Sequence, residues 1–313
     1  MKYVLKKTGI LIITLIMISL LAFLAFQIIP GDPTTKILGT DYTPERAEAL
    51  REELGLNENW IIRYGKWLTG LITGDLGTSY SYFMPVSEVM EGKLTVTFTL
   101  ALLSWIIVTA ISIPIGIAMA RYQSGAIDKF NVVSNQVFMA IPPFFLGILF
   151  VYIFGQVLRW FMPGRFIGFE ESFWGAVASL ILPALAISIP KAAKVAKLLR
   201  ASILNEMKND YVRTAYSRGN SRWAVIRNHV LRNAIIPAIT YIAMTLSDIV
   251  AGSIIVEQVF ALPGLGRLLI SSIGNRDYPG AQCIVVIIAF VVVFMNYLAD
   301  IITQYVDPRV RLA

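Results

Sequence analysis

The sequence predicts an all-α integral membrane protein whose chain crosses the bilayer six times. Three observations carry that prediction. Hydrophobic residues make up 56% of the 313 residues and charged residues only 15%, against about 25% charged in an average soluble chain. The apolar residues stand in six blocks rather than at amphipathic spacing, and each block approaches the roughly 20 residues needed to cross a hydrocarbon core. Lys and Arg collect in alternate connecting segments, as they do on the cytoplasmic side of membrane proteins.

The six blocks run approximately over 9–29, 96–120, 131–158, 173–190, 234–256 and 279–302, within a single membrane domain covering 1–313. A backbone in lipid must close its own hydrogen bonds, so these are helices rather than open strands. The basic start, Met1 to Lys7, resembles that of a signal peptide. The apolar run that follows extends to Pro30, longer than a cleaved apolar region of about 7–15 residues. It reads as a retained first span.

Residues 30–95 form a long connection on the outer side. Within it Thr43-Pro44-Glu45 starts a short helix: Thr as N-cap, Pro at the first helical position, an acid near the positive end of the dipole. Ala47, Leu50 and Leu54 share one face and Gly55 ends it. Such a helix serves either as an amphipathic element beside the membrane or as a docking surface for an external partner. Pro114, Pro142-Pro143 and Pro183 lie in or near later spans, where each removes a helical donor and predicts a kink or break. The breaks either shape a pathway or are ordinary membrane-helix kinks.

Residues 191–233 form the second long connection, on the inner side and strongly basic. Lys191, Lys194 and Lys197 recur every third residue and extend the fourth helix beyond the membrane. Seventeen of the 27 Lys and Arg lie in the set of segments containing the two termini and this loop, and ten in the opposite set, which covers more residues. Both termini therefore face the cytoplasm.

Several chemistries are excluded or find no support. No Walker phosphate loop is present; Gly264-Leu265-Gly266-Arg267 lacks its lysine and strand. His229 is the only histidine and Cys283 the only cysteine, which removes paired-His metal sites and any internal disulfide. The net charge of +7 leaves no basic-aromatic surface for nucleic acid once the spans are set aside. Inverted repeats or paired intramembrane ion sites, expected of a stand-alone secondary carrier, are not found, and an intramembrane enzyme lacks its catalytic set. Asp248, mid-way along the fifth span, and Glu257, at its outer end, are the candidate pathway groups. A carboxylate at that depth costs a few kcal/mol and must face the bundle interior or water. It either meets a cationic part of a solute or makes an internal hydrogen bond.

Seven blocks occur in order: Gly31-Asp32-Pro33, Gly74 to Ser79, Asp210 to Gly219, His229 to Pro237, Val256 to Gly266, Arg276-Asp277-Tyr278-Pro279 and Asp307 to Arg311. Together they resemble, over essentially the full length, the permease subunits of ATP-binding-cassette importers of the oligopeptide, dipeptide and nickel branch. The resemblance implies a type I importer permease bundle in a bacterial or archaeal cytoplasmic membrane. Its partners would be a second related permease, two cytoplasmic ATPase subunits and an extracytoplasmic solute-binding protein. ATP and Mg would be held by the ATPase subunits and no cofactor by this chain. Peptides are the implied cargo, with nickel chelates or oligosaccharides as alternatives.

The same resemblance makes the inner loop a coupling segment, in which a short helix enters a groove on the ATPase. The residues implied are Asp210, Tyr211, Arg213, Thr214, Ala215, Arg218, Gly219 and Arg222. Ala215 and Gly219 stand four apart, so a helix would set two small residues on one docking face. Arg213, Arg218 and Arg222 would pair with acidic groups around the groove. Arg213 stands where the general motif has Glu.

Overall fold

Proline and capping residues set the helix limits. In the computed structural model, which describes residues 2–28 and 32–306, five helices are long and apolar enough to cross a membrane, and the number is six where the bent pair 126–157 is counted as one span. Gly31 and the block Asp307 to Arg311 lie outside the described residues. Two compact units contain the chain, 1–97 with 263–294 and 98–262 with 295–313.

The first unit opens with α1 (Lys2–Ile28) and continues through α2 (Pro33–Leu38), α3 (Pro44–Glu53), α4 (Trp60–Thr73) and α5 (Val86–Met90). Thr43 caps α3 as its position predicts, its hydroxyl accepting from the Arg46 N–H at 3.3 Å, and Ala47 is buried beneath. Asp32 caps α2, accepting from Thr34 N–H at 2.9 Å, and takes Nε–H of Arg51 at 2.8 Å. Burial works against the Asp32 charge. Hydrogen bonds from Thr34 and Arg51, with the Arg51 charge, nonetheless hold its carboxyl below the usual carboxylate range. The apolar side of α4 meets α1 through an edge-on contact of Tyr64 with Phe23 and a hydroxyl contact of Tyr64 with Ser19 at 2.9 Å.

Helix α6 (Lys93–Arg121) continues through Pro114 without a break. The third apolar block behaves differently. It forms α7 (Ala126–Ala140) and α8 (Pro143–Phe150), with a π-helical extension over Val151–Val157, bent by 93°. The expected single stretch over 131–158 is therefore two pieces. A residue before proline is driven out of the helical region, and here Ile141 and Pro142 both adopt extended backbone, with ψ of 123° and 143°.

Helix α9 (Phe173–Glu206) runs on through Pro183, Pro190 and the three lysines for 34 residues. Then come α10 (Asp210–Ser217), α11 (Arg222–Val225), a π-helical turn over Ile226–Val230, α12 (Leu231–Ala234) and α13 (Ile236–Phe260). The chain ends in α14 (Leu265–Gly274) and α15 (Tyr278–Val306). At the start of α15, Asp277 is 1% exposed and gathers three donors: Ser79 hydroxyl at 2.5 Å, Tyr80 N–H at 2.9 Å and Gly280 N–H at 3.4 Å.

Candidate functional site

The basic connection between α9 and α13 is a folded platform. Eight residues, Asp210–Ser217, form α10, with Asp210 in the first turn where the helix dipole favours an acid. Val212 and Ala215, three apart and so on one face, are buried; Asp210, Tyr211, Arg213, Thr214, Tyr216 and Ser217 are exposed. The buried pair joins a cluster containing Leu199 and Ile203 of α9, Ala120 of α6, Val225, Ile226 and Val230 of the following turns, and Ala238 of α13. Burying a valine side chain stabilises by about 1.5–3 kcal/mol. One short helix is thus cemented to the ends of three long ones.

Polar contacts fix the edges. Tyr211 donates its hydroxyl to Glu206 at 2.7 Å, and Asn233 donates to the same carboxylate at 3.2 Å. Burial, with the Glu206 carboxylate beside it, raises the Tyr211 phenol above its ordinary value. Arg213 lies 3.5 Å from Asp210 with both side chains almost fully exposed, a pair worth little in water. Arg121 stands over Trp223 at 4.9 Å.

Two expectations for this segment are corrected. Ala215 and Gly219 form no shared docking face. Ala215 points into the core, and Gly219 lies beyond the helix end at φ +81°, donating N–H to Tyr216 at 2.9 Å. It is the left-handed residue that closes the helix, with open space where a Cβ would stand. Arg222, expected at a docking groove, instead donates to the Ala120 carbonyl at 3.2 Å and to Gln123 at 3.0 Å. It satisfies a carbonyl left open at the end of α6. Arg213 and Arg218 remain exposed, beside Tyr211 and Tyr216, at 38% and 39% exposure. Tyr216, Val212, Glu206 and Trp223 were absent from the sequence-based set; the three-residue spacing of Val212 and Ala215 was the one signal that could have found a buried side.

The two carboxylates of α13 occupy opposite environments. Glu257 is fully enclosed by the chain, with Ser253 hydroxyl directed at it from 3.4 Å. Asp248, at the middle of α13, is exposed on the surface of the chain. Lys191 and Lys194 of α9 lie within its electrostatic reach. Among the described residues no group of three or more His, Cys, Asp or Glu is placed to hold a metal ion.

Comparisons with known proteins agree with one another. A family profile described as the binding-protein-dependent transport system inner membrane component matches residues 112–312, and its N-terminal counterpart matches 1–101. A candidate peptide transport system permease protein of Brucella abortus (strain 2308) is 38% identical, covering 98% of each chain. The oligopeptide transport system permease protein of Bacillus subtilis (strain 168) is 34% identical over 99% of each. In fold, the chain is similar to one from the MetNI methionine transporter solved in inward-facing conformations. That match has a TM-score of 0.56 at 16% identity, covering 71% of this chain and 97% of that one.

Proposed function

The chain belongs to the binding-protein-dependent transport system inner membrane components, and on that premise we propose that it forms the translocation pathway of an ATP-driven importer for peptides. It is a multi-pass membrane subunit, and ATP hydrolysis belongs to partner subunits of such systems. The peptide assignment is supported by the relatives named for peptide and oligopeptide transport.

The proposed assembly holds this permease, acting as one domain over 1–313, a second related permease, two cytoplasmic ATPases and an extracytoplasmic binding protein. Both termini would face the cytoplasm, as the excess of Lys and Arg in the segments containing them supports. The α10 segment would then lie on the ATPase side. One observation carries the coupling role: an eight-residue helix buries two side chains in a core shared with α6, α9 and α13 while its Arg and Tyr residues stay exposed. Arg and Tyr are the residue types that dominate docking energetics. Close-packed cores transmit displacement rather than absorb it, so a push on α10 would move the spanning helices as a rigid group. Asp210, Tyr211, Arg213, Thr214 and Arg218 would meet the ATPase; Ala215, Gly219 and Arg222 would hold the segment in shape.

Co-purification with the ATPase and ATP-driven peptide uptake test this together. An Arg213→Glu, Arg218→Glu variant is expected in the membrane at the wild-type amount with uptake reduced at least about tenfold, the loss of one or two charge-assisted contacts. Wild-type uptake by that variant would overturn the docking role. Failure of the wild-type chain to associate with any ATPase would overturn the importer reading.

A further inference from the structure

The exposed carboxylate of Asp248 does not stand alone. Tyr241, Met244, Asp248, Ala251 and Ile255 follow one another at helical spacing along α13, and all but Tyr241, which is half-buried, are exposed. On α9, which packs against α13, Lys191, Lys194 and Lys197 make a matching row. Lys194 Nζ sits 5.5 Å from the centre of the Tyr241 ring, and Lys197 donates to Gln136 of α7 at 3.1 Å. The charge of Asp248 is felt by Lys191 and Lys194, yet among the described residues no ion pair joins it to either.

A spanning helix cannot present a carboxylate at its middle to lipid without a cost of a few kcal/mol, and the lysines of α9 carry the polar strip onward from it. This face therefore meets water or another polar surface. Its charges are arranged in order: one negative group at mid-helix, then a positive row continuing towards the C-terminal end of α9. A free peptide carries the same two charges, an ammonium at one end and a carboxylate at the other.

We propose that this face lines the translocation passage and that it handles the two termini of a peptide, Asp248 taking the ammonium and Lys191 with Lys194 the carboxylate. The proposal rests on the peptide-permease reading above. Among the described residues no ion pair ties Asp248 to Lys191, which leaves both able to take a partner from the solute. Asp248 is a binding residue on this account, while Glu257, enclosed by the chain, is not.

Two measurements on the complete transporter in proteoliposomes test it. The first needs no substrate. Cys283 is the only cysteine and is fully buried, so a cysteine introduced at Asp248 can be followed with a membrane-impermeant thiosulfonate reagent. Asp248→Cys is expected to react at least about tenfold faster than Ile13→Cys, which lies on an exposed, wholly apolar face of α1. An anionic reagent should react faster than a cationic one, and Lys191→Gln should reduce that preference. Equal rates at the two positions would overturn the lining role.

The second measurement is uptake of trialanine. Asp248→Asn and Lys191→Gln are each expected to lower it about tenfold, the worth of one charge-assisted contact, with assembly of each variant confirmed by co-purification. Wild-type uptake by both variants overturns the terminal recognition. A wild-type transporter that moves no trialanine while Asp248→Cys reacts rapidly overturns the peptide reading and the ligand with it, but not the place of the face on the passage.

Discussion

The segment around α10 and the turn from Gly77 to Met84 are held by opposite kinds of force. Helix α10 is seated by two apolar side chains, Val212 and Ala215, in a cluster drawn from three long helices. The 77–84 turn is seated by directional bonds: Ser79 and Tyr80 both end on the single buried carboxylate of Asp277. Apolar burial is non-directional, so it fixes a helix while leaving its polar side exposed. A buried carboxylate uses up the donors that reach it, and holds the turn in one shape. The two segments are thus distinguishable by what lies under them.

The largest expected effect breaks the turn. Asp277→Ala strands the Ser79 hydroxyl and the Tyr80 N–H, and should cost about 3 kcal/mol. It would be read as a lower unfolding midpoint in detergent and as new protease cleavage between residues 74 and 85. An unchanged cleavage pattern would mean that the carboxylate is not what holds this turn. Next comes Val212→Ala, which removes two buried methyl groups and should cost about 2 kcal/mol. Amide exchange should quicken in α10 but not in residues 77–84; equal quickening in both would erase the distinction drawn between them.

Gly219→Ala sharpens the same contrast. Nothing crowds the missing Cβ, so the cost is the left-handed backbone alone, about 1 kcal/mol. Gly219→Asn, a residue that also closes helices in this conformation, should cost less. A larger loss in thermal stability than Val212→Ala produces would show that Gly219 touches something else.

The smallest effect concerns acidity near α2. The folded Asp32 carboxyl lies below its ordinary value, so the unfolded chain binds the proton more tightly. The stabilisation is full at neutral pH, begins to fade as pH falls through the ordinary carboxylate value near 4, and is lost on passing the lowered one. Protease sensitivity of residues 33–53 should rise below about pH 4, and Arg51→Met should flatten that rise.

How far these regions could be read beforehand differs for physical reasons. The helix started by Thr43 and Pro44 was legible because a cap is a local event: one hydroxyl and one N–H three residues on. The break at Pro142-Pro143 was legible as a break for the same reason, although its 93° bend was not, since an angle depends on what the two halves pack against. The lysine row was visible as a three-residue period, but Asp248 as its companion was not, because the helices carrying them are far apart in the chain. Ala215 and Gly219 were misjudged by assuming that helical spacing continues past Ser217. It stops there, and a left-handed residue then aims the chain elsewhere.

The amino-acid order by itself therefore determined the all-helical membrane class, the apolar stretches, the break at Pro142-Pro143 and the Thr43 cap, because each follows from the composition of one window and the need to close backbone hydrogen bonds; it did not determine that the helices would run on through Pro114 and Pro183. Tertiary structure decided which side of α10 is cemented and which is free, and that Arg222 binds a helix end rather than a groove. It also decided that of two similar carboxylates Glu257 is enclosed while Asp248 lies open beside a row of lysines. Such outcomes depend on neighbours brought from distant positions, as with Ser79 and Asp277, 198 residues apart, and no local pattern encodes who those neighbours will be.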